Sequence, residues 1–476
     1  MKKHILTLAV ASCFSLLSAC GGGSSSDSST SSSTSDADSG TTATTATTTA
    51  ATTTTSSSRS STATSAPSIS RQPLSSVASV GASATLSVTA AGADTLVYQW
   101  YKDGSALSGA TAATYTVASA ASTDTGTYHV VVTNAKGTAT SSKVTLNVTT
   151  ATTATQTAQV TGAAQAFLAT LSSTQQATAQ TPYALDTARH WSNLPASMVS
   201  RNGVSWGSLS DAQKVAARAL VIAALGSTGN QQHVDMQAAE NYLYASGGGS
   251  SYGEGQYYIA VLGTPSTTGF WMLQITGHHL THNLAFNGTV KSPTPLFMGV
   301  EPKAAFTYGG NTSDPMKVQR EAMAALGSAL TGYSGAKFSG TYTDLVFGAN
   351  GSGSIDGSCP HAFSGVSEHG IAYASLSSTA QALVQSVIKA YVNTQASEYA
   401  ADILAAYLSD SALAQTTVGY SGSGTVTASN NYFRIEGPRV WIEFSVQGGV
   451  IFNKDIHFHT IWRDKTGDYG GQCGAS

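Results

Sequence analysis

Two tracts of small polar residues divide this chain into parts that can fold and parts that cannot. Serine and threonine fill 32 of the 48 positions from 21 to 68. Such a segment buries too little apolar surface to offset the entropy of ordering it. A shorter Thr/Ala tract covers 149–158. We therefore expect two folded domains, 69–148 and 159–476, preceded by a flexible stalk at 20–68 with a reach of about 35–40 Å.

Composition excludes one large class of function. The 476 residues include 22 basic and 25 acidic side chains, for a net charge of −3. A chain with so little positive charge is not an electrostatic binder of nucleic acid. Hydrophobic residues make up 41%, which is sufficient for a large core in a chain of this length.

The N-terminus has the features of a bacterial export signal. Two lysines precede a mostly apolar stretch at 5–17, which is too short to span a bilayer comfortably. The Leu-Ser-Ala-Cys that ends at Cys20 resembles a lipobox, which implies removal of residues 1–19, acylation of Cys20 and a stable membrane anchor. Gly21 resembles the outer-membrane sorting pattern. We expect a lipid-anchored protein of the bacterial cell envelope, and the alternative is an ordinary signal peptide with a chance cysteine.

Residues 69–148 alternate between apolar and polar side chains in several short segments separated by turn residues. This pattern is typical of a β-sandwich. Trp100 and the D-x-G-x-Y motif at 124–128 resemble the core tryptophan and tyrosine corner of an immunoglobulin-like domain. Val130 stands where that family has a cysteine, so the resemblance implies a domain held by its core alone. We interpret it as a spacer, with glycan or protein binding as the alternative.

The C-terminal domain mixes helical and strand patterns. One helical pattern has Ser210 as its N-cap and ends at Gly226. Helical spacing occurs at 163–176, 209–225 and 376–392, and strand patterns occur within 257–288 and 432–462. We therefore predict a multidomain fold class, an all-β immunoglobulin-like sandwich followed by a larger α+β domain.

Histidines in the C-terminal domain form two groups, His278, His279 and His282 in the first, and His457 and His459 in the second. In a strand, the second group places both imidazoles on one side, about 6.5–7 Å apart. Imidazole binds Zn, Cu and Fe, and histidines from two strands can complete a site. The two groups therefore suggest a transition-metal site. The alternative is that they are structural, hydrogen-bonded histidines.

The neighbouring residues suggest further roles. Arg439, Trp441 and Glu443 alternate with apolar residues, and Trp462 and Arg463 follow the second histidine group. Either arginine could hold an anionic substrate group, and the tryptophans could contact substrate. Glu443 could orient a ligand histidine or act as an acid/base. A cross-strand Arg–Glu pair is the structural alternative.

Two cysteines remain beyond the export signal, Cys359 and Cys473. In an oxidising compartment they could form a disulfide. No spacing rule supports this pairing, and two unpaired thiols are the alternative.

Six segments, in this order, resemble the family catalogued as domain of unknown function 3500. They are WSNLP at 191–195, YYIAVLGTPS at 257–266, GHHL at 277–280, EP at 301–302, YFRIEGP at 432–438 and HFHTIWRD at 457–464. The resemblance covers nearly all of 159–476 and implies a fold unit without an assigned reaction. It favours His278, His279, His457 and His459 over His282 as site residues.

Two hypotheses of different classes follow. The first is an outer-membrane-anchored, metal-dependent hydrolase or oxidoreductase that uses Zn, Cu or Fe on an unknown extracytoplasmic substrate. The second is a non-catalytic surface binding or adhesion protein with an immunoglobulin-like spacer. A metal site with an open coordination position distinguishes the first from the second.

Overall fold

The computed structural model describes residues 66–73, 75–80, 84–93, 95–149, 156–347 and 366–473. The export signal, Cys20 and most of the stalk lie outside the described residues, as does Cys359. Within the described part, no helix is both long enough and apolar enough to cross a membrane.

The N-terminal domain is the expected β-sandwich. Trp100 and Tyr128 are fully buried, and the Tyr128 hydroxyl donates a 2.7 Å hydrogen bond to the Asp124 carbonyl, as in a tyrosine corner. Val130 is also fully buried, so the position of the missing cysteine is filled by an apolar side chain. The strands are β1 (Ser68–Arg71), β2 (Ser76–Ser79), β3 (Ala84–Ser87), β4 (Thr89–Ala91), β5 (Val97–Lys102), β6 (Ser105–Ala106), β7 (Thr114–Val117), β8 (Gly126–Asn134), β9 (Gly137–Thr140) and β10 (Val144–Thr149).

The C-terminal domain is built from eight α-helices and fourteen strands among the described residues. The helices are α1 (Gln156–Thr170), α2 (Ser173–Ala179), α3 (Leu185–Ala188), α4 (Asp211–Leu243), α5 (Lys317–Leu330), α6 (Ser378–Val392), α7 (Ser397–Tyr407) and α8 (Asp410–Leu413). The strands are β11 (Gln180–Thr181), β12 (Val204–Ser205), β13 (Tyr258–Gly263), β14 (Phe270–Gly277), β15 (Leu280–Asn287), β16 (Thr289–Ser292), β17 (Leu296–Val300), β18 (Phe306–Tyr308), β19 (Asn311–Ser313), β20 (Ile371–Ala372), β21 (Thr417–Ser421), β22 (Asn431–Glu436), β23 (Val440–Gly448) and β24 (Ile456–Asp464).

Twelve of these strands form one sheet in the order β11-β13-β14-β15-β17-β24-β23-β22-β21-β20, with β12 beside β13 and β16 beside β15. Except for the parallel pair β11–β13, the neighbours are antiparallel. The central pair β17–β24 brings together two segments that are about 160 residues apart in sequence, with Gly299 opposite His459. The expected fold class, a sandwich followed by a larger α+β domain, is confirmed.

The two faces of the large sheet are covered differently. One face packs against the helices in a single large core, to which α4 contributes Leu220 and Met236 and the strands contribute Leu284 and Phe444. The opposite face has smaller clusters in which irregular segments cover the strands. One of these clusters comprises Trp191, Phe297, Leu345 and Ile461.

Helix α4 differs from its sequence pattern. Ser210 is its N-cap, as expected, and accepts a hydrogen bond from the Gln213 amide. The expected end at Gly226 is wrong, because the helix resumes after this one non-helical residue (φ 71°, ψ −175°) and continues to Leu243. A positive φ is available to glycine at little cost, so the chain kinks there without ending the helix. The added half of α4 carries Glu240 towards the histidines.

The first histidine group also differs from expectation. His278 and His279 form the two-residue turn between β14 and β15, where Gly277 pairs with Leu280. Within the strand pattern expected at 257–288, they therefore lie in a turn, and only His282 of this group is part of a strand, β15.

Candidate metal centre

Three imidazoles converge at the end of the β17–β24 pair. The Nε2 atom of His459 lies 3.2 Å from Nε2 of His457 and 3.2 Å from Nε2 of His279. All three side chains are buried, and their ligand atoms lie within 4.8 Å of one another. We call His279, His457 and His459 the histidine triad.

The backbone explains how residues so distant in sequence meet. On β24, His457 and His459 are two positions apart and therefore face the same side. His279 reaches them from the β14–β15 turn with a φ of 60°. A positive φ is uncommon in a residue other than glycine, but it is regular in a two-residue β-hairpin turn, and here it aims the His279 ring at β24. The turn is held in place by the Gly299 amide, which donates a 2.7 Å hydrogen bond to the His279 carbonyl.

Two members of the triad, His279 and His457, are held in their uncharged form. Burial and then the neighbouring His459 lower the pKa of His457 to about 3. Burial, followed by the three adjacent histidines, also lowers the pKa of His279 well below its usual range. Neutral imidazoles retain a lone pair, which is the form that binds metal.

The tautomer of His457 follows from its hydrogen bond. Its Nδ1 lies 2.7 Å from the Gly448 carbonyl, which can only accept, so Nδ1 carries the proton. The Nε2 of neutral His457 therefore presents a lone pair to the triad. Fixing one ring nitrogen by a carbonyl so that the other can bind is the usual arrangement of metal-ligating histidines.

The spacing of the triad fits a transition metal. Two nitrogens bound to Zn at 2.0–2.1 Å with a tetrahedral angle are about 3.3 Å apart. The two measured Nε2–Nε2 distances are 3.2 Å. Three ligands of this kind leave a fourth position for water or substrate, as in catalytic zinc sites.

His278 lies beside the triad with a different partner. Its Nδ1 is 2.7 Å from Oε1 of Glu240, and its ring stacks on His279 with centroids 3.6 Å apart. Glu240 was not identified from the sequence. The available signal was a polar stripe on α4, because His233, Gln237 and Glu240 recur at helical spacing among apolar residues.

Asp344 is a second residue that sequence reasoning missed. Its Oδ1 lies 3.8 Å from Nδ1 of His459, and its side chain is 39% exposed. It follows no regular element and has no distinctive local motif, so only the tertiary structure reveals its position.

Glu443 lies deep in the sheet and is committed to other partners. Its carboxylate accepts hydrogen bonds from the Val346 and Phe347 amides, the Tyr432 hydroxyl and the Trp441 indole, at 2.5–3.0 Å. This carboxylate therefore fixes the segment that covers the sheet, and no histidine is among these partners.

The predicted arginines form ion pairs. Arg463 and Asp468 are fully buried, with Nε 2.9 Å from Oδ2, and Arg439 contacts Asp464 at 2.5 Å. Burial raises the pKa of Asp468 to about 6, and the charge of Arg463 opposes that rise. Both arginines are thus engaged in ion pairs within the protein, as in the alternative to substrate binding. Their partners are Asp464 and Asp468, and not Glu443 as that alternative supposed.

The two tryptophans are also buried in structural contacts. The Trp462 indole lies 3.4 Å from the Tyr407 hydroxyl, and its ring meets Tyr407 edge-on. Trp441 packs against Phe347 and Arg434. The structure thus brings three of the four predicted ligand histidines together and places the predicted Arg, Glu and Trp residues in other contacts.

Cys473 is disulfide-bonded, while its expected partner Cys359 lies outside the described residues.

Sequence comparison identifies the family of the C-terminal domain. Residues 153–471 match the family described as "Protein of unknown function (DUF3500)". The chain belongs to the DUF3500 family. Residues 66–134 match an immunoglobulin domain. The DUF3500 match includes the histidine triad, His278 and Glu240, so the candidate centre lies within the family domain.

Three similar proteins each cover part of the chain. A decoration protein of Escherichia phage T5 is 51% identical over 57 residues, which is 12% of this chain and 35% of the phage protein. The chain therefore spans about a third of that curated relative. Among solved structures, titin M4 is 28% identical and covers 18% of this chain and 97% of its own, with a TM-score of 0.17. Sidekick-1 immunoglobulin domains 1–5 are 27% identical and cover 17% of this chain and 18% of their own, also with a TM-score of 0.17.

Substituting Gly299 tests the space around the triad. A Cβ there would lie 2.9 Å from Cδ2 of both His279 and His459. Gly299→Ala should displace both rings and weaken Zn binding by about tenfold or more. Competition with a chromophoric chelator measures this affinity. Gly162→Ala is the matched control, because a Cβ at that position on α1 meets no atom within 4 Å. Equal affinity of both variants would contradict the proposed ring positions.

Substituting His282 tests how the fold responds to acid. Burial lowers its pKa to about 3, and neither ring nitrogen has a hydrogen-bond partner in the described part of the chain. The folded pKa lies below the unfolded value, so protonation favours unfolding as the pH falls from about 6.5 towards 3, by up to about 1.4 kcal/mol per pH unit. In metal-free protein, His282→Leu should raise stability at pH 7 by about 1 kcal/mol and reduce its loss at pH 5. Urea denaturation at both pH values measures this, and an unchanged pH dependence would contradict the assignment.

Proposed function

We propose that the DUF3500 domain is a metal-dependent enzyme whose ion is held by His279, His457 and His459. One observation carries the proposal, the convergence of three buried imidazoles in which Nε2 of His459 lies 3.2 Å from Nε2 of both His457 and His279. His457 Nε2 has no proton in the neutral ring and His459 Nε2 can carry only one, so protons leave at least one of the two 3.2 Å contacts without a linear hydrogen bond and with repulsion between like groups. A cation at the point of convergence would relieve that repulsion and satisfy all three nitrogens.

The surrounding residues support a catalytic site over a closed structural one. Structural zinc sites usually have four protein ligands, and the triad supplies three. The carboxylate of Asp344 lies near His459 and is partly exposed, so it marks a side of the centre that substrate can approach. A bound ion would supply Lewis-acid or redox chemistry there, with Zn, Cu or Fe as the ions that imidazoles suit best.

The chain's own residues would then have defined tasks. The Gly448 carbonyl holds the proton of His457 on Nδ1, and the Gly299 amide fixes the backbone of the His279 turn. Burial of the triad keeps bulk water away from the ligands. Asp344, whose Oδ1 lies 3.8 Å from His459 Nδ1, is too far for a hydrogen bond to that ring and is placed to contact a group on the substrate.

The location of this chemistry is also a proposal. The lipobox-like segment ending at Cys20 supports a lipid-anchored protein of the bacterial cell envelope, on the outer membrane, acting on an extracytoplasmic substrate. The immunoglobulin-like domain favours a second candidate function, in which the chain is a non-catalytic surface binding protein and that domain contributes contacts.

Metal analysis of the full-length protein, purified without a polyhistidine tag, tests the enzyme proposal. The wild type should carry at least one transition-metal ion per chain, and His457→Ala/His459→Ala should carry one fewer while retaining its circular dichroism spectrum. His282→Leu is the matched control, since it removes a buried imidazole outside the triad, and it should keep its metal. A wild type without metal after dialysis against Zn, Cu and Fe would overturn the proposal. A fully loaded protein with no open ligand position would favour the binding alternative.

Labelling with a fatty-acid probe in a bacterial host tests the anchor. Wild-type protein should incorporate label and sediment with membranes, whereas Cys20→Ser should lose both properties because the acceptor thiol is absent. Label retained by Cys20→Ser would contradict acylation at this residue.

A further inference from the structure

A second group of buried ligand atoms adjoins the triad. Glu240, His278 and His279 offer ligand atoms within 4.8 Å of one another, and all three residues are buried. His279 belongs to both groups. The two groups together comprise four imidazoles and one carboxylate on α4, the β14–β15 turn and β24.

The Glu240 carboxylate has an unusual environment. It is 2% exposed, and its Oε1 lies 2.7 Å from His278 Nδ1. Its other oxygen, Oε2, is buried without a hydrogen-bond donor. Among the described residues, no lysine or arginine forms an ion pair with it. A buried carboxylate with one bare oxygen and no fixed cation is costly unless a cation occupies the site.

We propose that the cluster holds two metal ions, with the second ion bound by Glu240 and His278 beside His279. This inference rests on the proposed function, because the first ion is the one held by the triad. The mixed oxygen and nitrogen donors suit Zn, Mn or Fe. A carboxylate ligand can offset part of the charge of a second divalent ion, which imidazole ligands do not.

The competing interpretation is that Glu240 only orients His278. That arrangement uses a single Nδ1–H to Oε1 hydrogen bond and explains one carboxylate oxygen. This interpretation leaves Oε2 of Glu240 buried without a hydrogen-bond partner. It also gives no reason for the ligand atoms of Glu240, His278 and His279 to lie within 4.8 Å of one another. A second ion would give Oε2 a cationic partner and would lie beside the first ion, as in two-metal hydrolytic centres.

Stoichiometric metal analysis of the full-length protein after Zn loading tests the second site. We expect about two ions per chain in the wild type and about one in Glu240→Gln, which keeps the shape of the side chain. His457→Ala/His459→Ala should also keep about one, held at the second site. Glu301→Gln is the matched control, because Glu301 is an equally buried carboxylate that caps the Val450 and Phe452 amides, and it should keep two ions.

The outcomes separate the two proposals. One ion in the wild type and in Glu240→Gln, with none in the triad variant, overturns the second site and leaves the triad centre intact. No ion in the wild type overturns both. Two ions in both wild type and Glu240→Gln overturn the assignment to Glu240. If Glu240→Gln does not fold, His278→Asn replaces it, and the wild-type count alone still decides between one ion and two.

Discussion

The antiparallel pairing of β17 with β24 is the contact on which the candidate centre depends. It places Gly299 directly opposite His459, and only a residue without a side chain leaves room there for the rings of His459 and His279. The same glycine fixes the turn that carries His279. One backbone pairing thus positions the two sequence-distant parts of the triad and provides the space in which they meet.

Burial gives this arrangement its chemical character. Burial and the neighbouring imidazoles hold His279 and His457 uncharged, so these two act as lone-pair donors at neutral pH. The residues around them are fixed by strong local interactions, such as the four hydrogen bonds of Glu443 and the ion pair of Arg463 with Asp468. By strand register, Glu443 and Arg463 lie on the same sheet face as His457 and His459, and their contacts hold the neighbouring segments in place.

Local patterns revealed the architecture well. The alternation in β5 and β8, the tyrosine corner and the amphipathic helix α6 depend on periodicities of two and 3.6 residues, which the sequence displays directly. The candidate site was harder to predict from the sequence. The His-x-His pair could be recognised on β24 because both rings share a face of the strand. The turn at 278–279 could not, because two histidines are not typical turn residues and the flanking residues continue the strand pattern. Glu240 and Asp344 reach the histidines only through tertiary packing. Because the glycine at 226 predicted a helix end, the second half of α4, which carries Glu240, was not predicted.

The most direct test of this account is the position of a metal in crystals of the full-length protein, located by anomalous diffraction at the absorption edge of the bound element. The account predicts an anomalous peak about 2.0–2.1 Å from Nε2 of His279, His457 and His459. Metal-loaded crystals without a peak at this point, and with the three rings hydrogen-bonded to one another, would contradict the central claim.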